Sequence, residues 1–79
     1  MKPHYSMLIQ WSEEDQLYIV TLPEFGGCHT HGKTYAEAAT KGLEAIESLI
    51  DAYELDTKPL PQPAYFDHNS IDCASAVAA

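Results

Sequence analysis

At 79 residues the chain has room for one domain with a small core. Two cysteines are too few for a disulfide framework and no four-ligand metal spacing is present, so self-association is the common remaining way to bury apolar surface, and a homo-oligomer is expected. Twelve acidic residues stand against four lysines and no arginine, a net charge of −8, which argues against direct binding of a phosphate backbone and favours a basic protein partner. The plainer reading is that an acidic surface keeps a small protein soluble.

The first residues, Met1 to Ser6, hold no apolar core of signal-peptide length. No run approaches the roughly 20 apolar residues of a membrane span. A cytoplasmic protein with Cys28 and Cys73 reduced is therefore expected.

Residues 5–11 alternate, with Tyr5, Met7, Ile9 and Trp11 on one face and His4, Ser6, Leu8 and Gln10 on the other. That period predicts a strand with one buried face. The polar run 12–16 predicts a turn. Residues 17–22 predict a second strand, apolar on both faces and hence central, paired with the first as an antiparallel hairpin. Pro23 has no N–H for a ladder and ends it. Gly26 and Gly27 allow a sharp re-entry, and Cys28 to His31 read as a short third strand.

Thr34 and Glu37 form a capping-box pattern, with Thr34 capping a helix and Glu37 reaching back to the Thr34 amide. Ala39, Leu43, Ile46, Ile50 and Tyr53 then make an apolar stripe, widened by Leu49, and the helix runs to Tyr53 or Leu55. Glu37 and Lys41 are spaced for an i,i+4 pair. Gly42 is either a weak point or a close approach of helix to sheet. Pro59, Pro61 and Pro63 predict an extended segment lying across the surface. Residues 64–66 suit an optional edge strand, and residues 67–79 read as a flexible tail. The sum is an α+β two-layer sandwich: a three- to four-stranded, mainly antiparallel sheet (β-β-β-α-β) with one helix packed on it.

The order of these pieces resembles the HicB-like antitoxin family of toxin–antitoxin pairs. The residues that carry the resemblance are Tyr18-Ile19-Val20 followed by Leu22-Pro23, then Gly27-Cys28, Gly32, Thr34, Glu37-Ala38 and the exit at Pro59, Pro61 and Pro63. The resemblance implies a partial ribonuclease-H-like domain over residues 1–66, without nuclease activity. It implies binding to, and masking of, a small basic mRNA-cleaving toxin of the HicA type. It gives Pro23, Gly27, Cys28, Gly32, Thr34 and Glu37 as architectural positions, Cys28 being a small buried one. Many members add a DNA-binding module. Only residues 67–79 follow the matching region here, so no such module is expected.

The candidate partner-binding carboxylates are Glu13, Glu14 and Asp15 in the hairpin turn and Glu44, Glu47 and Asp51 on one face of the helix. The alternative is that both groups are simply solvated. No catalytic or cofactor-binding residue is assigned. Strand one lacks the acidic residue that a metal-dependent nuclease of this fold would need. Cys28, His29 and His31, with His4 on a neighbouring strand, are the one cluster that admits a metal or a Cys–His pair. Strand alternation sends Cys28 and His29 to opposite faces, and no fourth ligand is evident. A stand-alone oligomeric regulatory or structural module is the second reading, and a small metal-binding protein the third.

Overall fold

The period-two region becomes a three-stranded antiparallel sheet, and the region of helical period becomes one long helix laid across it, in a computed structural model that describes residues 4–67. Strand β1 (Leu8–Ser12) pairs with β2 (Leu17–Leu22), and β2 pairs with β3 (Cys28–Gly32), in the order β1-β2-β3. The expected central position of β2 is what the structure has: Val20 and Leu22 are fully buried, which their two-sided apolar pattern requires. Strand β1 begins three residues later than its alternation predicts. Tyr5 and Ser6 are instead drawn off toward the other end of the chain.

The hairpin turn is fixed locally. The Gln16 N–H donates to the Ser12 carbonyl at 2.8 Å with Gln16 at φ +56°, and Ser12 Oγ donates to Asp15 Oδ2 at 2.9 Å. Pro23 ends β2 as expected and opens a single 3-10 turn, Pro23–Phe25. Gly26 and Gly27 follow at φ +71° and +79°, a left-handed pair that side chains adopt only under strain. This reverses the chain into β3.

Helix α1 (Tyr35–Leu55) starts at Thr34, whose hydroxyl oxygen accepts from the Glu37 N–H at 3.0 Å. The second half of the capping box is shifted by one residue. Glu37 Oε1 accepts from the Lys33 N–H at 3.1 Å, not from Thr34. The buried stripe also differs from the expected one. It runs Ala38, Gly42, Ile46, Ile50, while Leu43 is 54% exposed. One buried member is Gly42, which an apolar count passes over. Without a side chain it lets the helix backbone settle on the sheet: a Cβ there would meet Met7 Sδ and stand 3.0 Å from Val20 Cγ1. Leu43, the next residue, faces outward.

The helix ends with the Lys58 N–H on the Tyr53 carbonyl (2.9 Å) and the Thr57 N–H on that of Glu54 (3.1 Å), a Schellman closure. Its left-handed residue is Thr57 at φ +52°, where glycine is the unstrained choice. Thr57→Gly is therefore expected to stabilise the fold by about 1 kcal/mol and raise Tm by roughly 5 °C, read by thermal denaturation. The optional edge strand at residues 64–66 is not formed. The Pro-rich segment packs on its own domain, with Leu60 against the core of Val20, Leu22, Ala38, Ile46 and Ile50. The expected flexible tail, Asp67 apart, lies outside the described residues.

Candidate functional site

The sheet presents two different faces. Register places Ile9 opposite Val20 and Trp11 opposite Tyr18, on the helix side. Leu8, Gln10, Ile19 and Thr21 point the other way, where no described element covers them, and Leu8 is 48% exposed. His29 pairs with Thr21 and His31 with Ile19, so both histidines stand on this uncovered face and both are exposed. Cys28 pairs with Leu22 and belongs to the helix side. Cys28 and His29 thus lie on opposite faces as expected, but two expectations fail. Cys28 is exposed rather than a buried small residue, standing at the first position of an edge strand. His4 is not on a strand next to β3, because β2 lies between β1 and β3 and keeps those edges about 10 Å apart. Among the described residues no group of three or more His, Cys, Asp or Glu side chains could hold a metal. Cys73 lies outside them.

The acidic candidates fall into two separate groups. Glu13, Glu14 and Asp15 are exposed at the hairpin tip, while Glu44, Glu47 and Asp51 are exposed on the helix. The tip adjoins an aromatic ladder. The Trp11 and Tyr18 rings meet edge to face at 5.1 Å, and Tyr18 meets Tyr35 at 4.2 Å. Trp11 Nε1 donates to Glu13 Oε2 at 2.8 Å, fixing the indole against the turn. Trp11 is 46% and Tyr35 64% exposed, while Tyr18 packs against the core. The first two rings were available from the hairpin register. Tyr35 joins them only through the helix crossing, which the sequence does not give.

Glu24 was not singled out by sequence, and it does the most to join distant parts of the chain. The Ser6 N–H donates to both its carboxylate oxygens at 3.1 Å, the Ser6 hydroxyl donates to Oε2 at 2.9 Å, and the Ala64 N–H donates to Oε2 at 2.9 Å. Beside it the Tyr5 hydroxyl donates to the Pro61 carbonyl at 2.6 Å, and the Tyr5 ring packs on Phe25, which packs on Tyr53. Desolvation pushes the Glu24 carboxyl upward. The donors from Ala64 and Ser6 outweigh it and hold the group below the ordinary carboxylate value. Its partners lie 18 and 40 residues away, so no local pattern announces them.

Pro23, Gly27, Gly32, Thr34 and Glu37 each occupy a turn, a close approach or a cap. None of them forms a reactive constellation. Among the described residues no helix is long and apolar enough to cross a membrane.

A family model described as the HicB-like antitoxin of bacterial toxin–antitoxin systems matches residues 5–75. A UPF0150 protein of Thermoplasma acidophilum is 34% identical over 58 residues, 73% of this chain and 83% of the relative. A UPF0150 protein of Synechocystis is also 34% identical, over 75% of this chain and 73% of the relative. No solved structure matches significantly.

Proposed function

Because the chain belongs to the HicB-like antitoxin family of bacterial toxin–antitoxin systems, we propose that it is the non-catalytic half of such a pair, binding a small basic mRNA-cleaving toxin of the HicA type in the cytoplasm and covering its active surface. The observation that supports this most, beside the family, is the disposition of charge. The chain carries −8, and both acidic groups, Glu13, Glu14 and Asp15 on the turn and Glu44, Glu47 and Asp51 on the helix, are open to solvent. Such a surface attracts a cationic protein and repels nucleic acid, so inhibition works by masking the toxin and not by competing for its RNA.

Attraction of this kind acts on the encounter rate and is screened by salt. Stopped-flow association with the basic protein encoded beside this chain is expected to slow by about tenfold between about 0.05 and 0.5 M salt, as the screening length shrinks through about 8 Å. An on-rate indifferent to salt would instead make the contact chiefly apolar.

A second reading, an oligomeric module without a toxin, draws on the uncovered sheet face around Leu8, Ile19 and Thr21. A stable multimer in sedimentation that captures no neighbouring basic protein would favour it.

A further inference from the structure

The carboxylates give a partner its direction of approach but not a seat, and the aromatic ladder supplies one. Of the helix-side residues, Ala38 sits over β3: a Cβ on Gly32 would stand 2.7 Å from the Ala38 Cα. The opposite flank of the helix, where Tyr35, Ala39 and Leu43 recur every fourth residue, faces β1 and is poorly covered. Tyr35 is 64% and Leu43 54% exposed, and across from them Trp11 and Met7 are also exposed. An exposed apolar strip on a small soluble domain marks an interaction surface.

We propose that the shelf formed by Trp11, Tyr18 and Tyr35, beside the carboxylates of the β1–β2 turn, is where a basic protein docks, with an arginine or lysine side chain of that partner lying on the rings. This rests on the antitoxin reading and adds to it the residues that carry the contact.

Three features favour a cationic occupant. The rings touch one another, at 5.1 and 4.2 Å, and so form one continuous surface with little freedom left to lose on binding. Glu13 takes up the indole N–H, so what Trp11 offers a partner is its apolar ring, with a carboxylate beside it. A ring face next to negative charge is the environment that holds a guanidinium or ammonium group best. The chain uses the same contact internally at the other end of the helix, where Lys58 Nζ lies 5.5 Å from the centre of the Tyr53 ring. Among the described residues that is the cation found over a ring, and none is found over the Trp11 shelf. Aromatic side chains that a partner buries within a charged rim are also the usual arrangement of the residues that dominate an interface.

Trp11 is the chain's one tryptophan, so it can report on its own surroundings. The full chain is labelled with 5-fluorotryptophan and titrated with the unlabelled neighbouring basic protein, with calorimetry in parallel on wild type, Tyr35→Ala and Trp11→Leu. The expected results are a shifted fluorine resonance on binding and a loss of affinity of about tenfold or more in each variant, mainly through faster dissociation. Tyr35→Ala is the safer variant, since the side chain is mostly exposed and alanine suits the first helical turn; an unchanged melting curve confirms its fold. If wild type binds but the resonance stays put and both variants bind equally well, the shelf is not the seat, while the antitoxin reading stands. If the resonance moves with the chain's own concentration and not with the partner, the shelf is a contact between copies. If wild type binds no such protein, both readings fall together.

Discussion

Gly32→Ala is expected to cost about 3 kcal/mol and lower Tm by roughly 15 °C, while Gly42→Ala, the same change ten residues on, should cost under about 1 kcal/mol. Neither glycine has a positive φ, so the difference comes from what a new methyl group would meet. At Gly32 the obstacles are backbone atoms of the first helical turn: the Ala38 N, the Ala38 Cα at 2.7 Å and the Glu37 carbonyl carbon at 2.8 Å. None of these yields without lifting the helix start off β3, and with it Tyr35. At Gly42 the nearest obstacle is the end of the Met7 side chain, which can turn aside, with Val20 Cγ1 at a tight 3.0 Å. Alanine is also about 1 kcal/mol better than glycine inside a helix, which offsets most of that repacking. A domain of this length is stable by only about 4–12 kcal/mol, so the Gly32 change removes a large share. Thermal melts of the two variants test the account, and equal destabilisation would contradict the packing described.

Glu24→Ala is expected to cost about 2 kcal/mol and to release the C-terminal segment before the sheet opens. Both losses have one cause. The carboxylate accepts from the backbone N–H of Ser6, before β1, and of Ala64, after the helix, and its removal strands both donors. Because the Ala64 bond is exposed to solvent, water replaces part of it, which keeps the expected cost moderate. Hydrogen exchange should show Ala64 losing protection with β2 unaffected, and Glu24→Gln should fall between wild type and alanine. The pH dependence has a definite sign. The folded pKa lies below the unfolded one, so Glu24 contributes fully above the ordinary carboxylate value near 4.5. That contribution fades as pH falls through the folded value. Glu24→Ala should therefore show a shallower loss of stability on acidification than wild type, whereas parallel pH curves would show that the clamp carries no linkage.

How far the sequence foretold this protein depends on the range of each interaction. The hairpin, the stop at Pro23, the reversal at Gly26 and Gly27 and the cap at Thr34 follow from residues within a few positions of one another, and they stand where the pattern put them. The helix stripe was right at Ile46 and Ile50 and off by one position in its first half, where Ala38 and Gly42 are buried in place of Ala39 and Leu43. Glycine carries no apolar signal, yet Gly42 is buried, with Met7 and Val20 close against its backbone. Cys28 was expected to be buried and is exposed, because burial at the end of an edge strand depends on what packs beside it in the assembled fold, not on residue type. Glu24 and Tyr35 were passed over for the same reason. Their partners, Ser6, Ala64 and Tyr18, meet them only after the sheet and helix have assembled. The acidic character and its division into a turn group and a helix group were legible at once, but the placing of the turn group beside three rings was not.

The most direct test of masking is a ribonuclease titration. Purified basic protein from the adjacent gene is allowed to cleave an mRNA, and this chain is added in increasing amounts at physiological salt. Activity should fall linearly to zero as the chain reaches a stoichiometric amount, with a complex recovered by gel filtration at the same ratio. Undiminished cleavage in the presence of excess chain, or no complex at all, would contradict the antitoxin account.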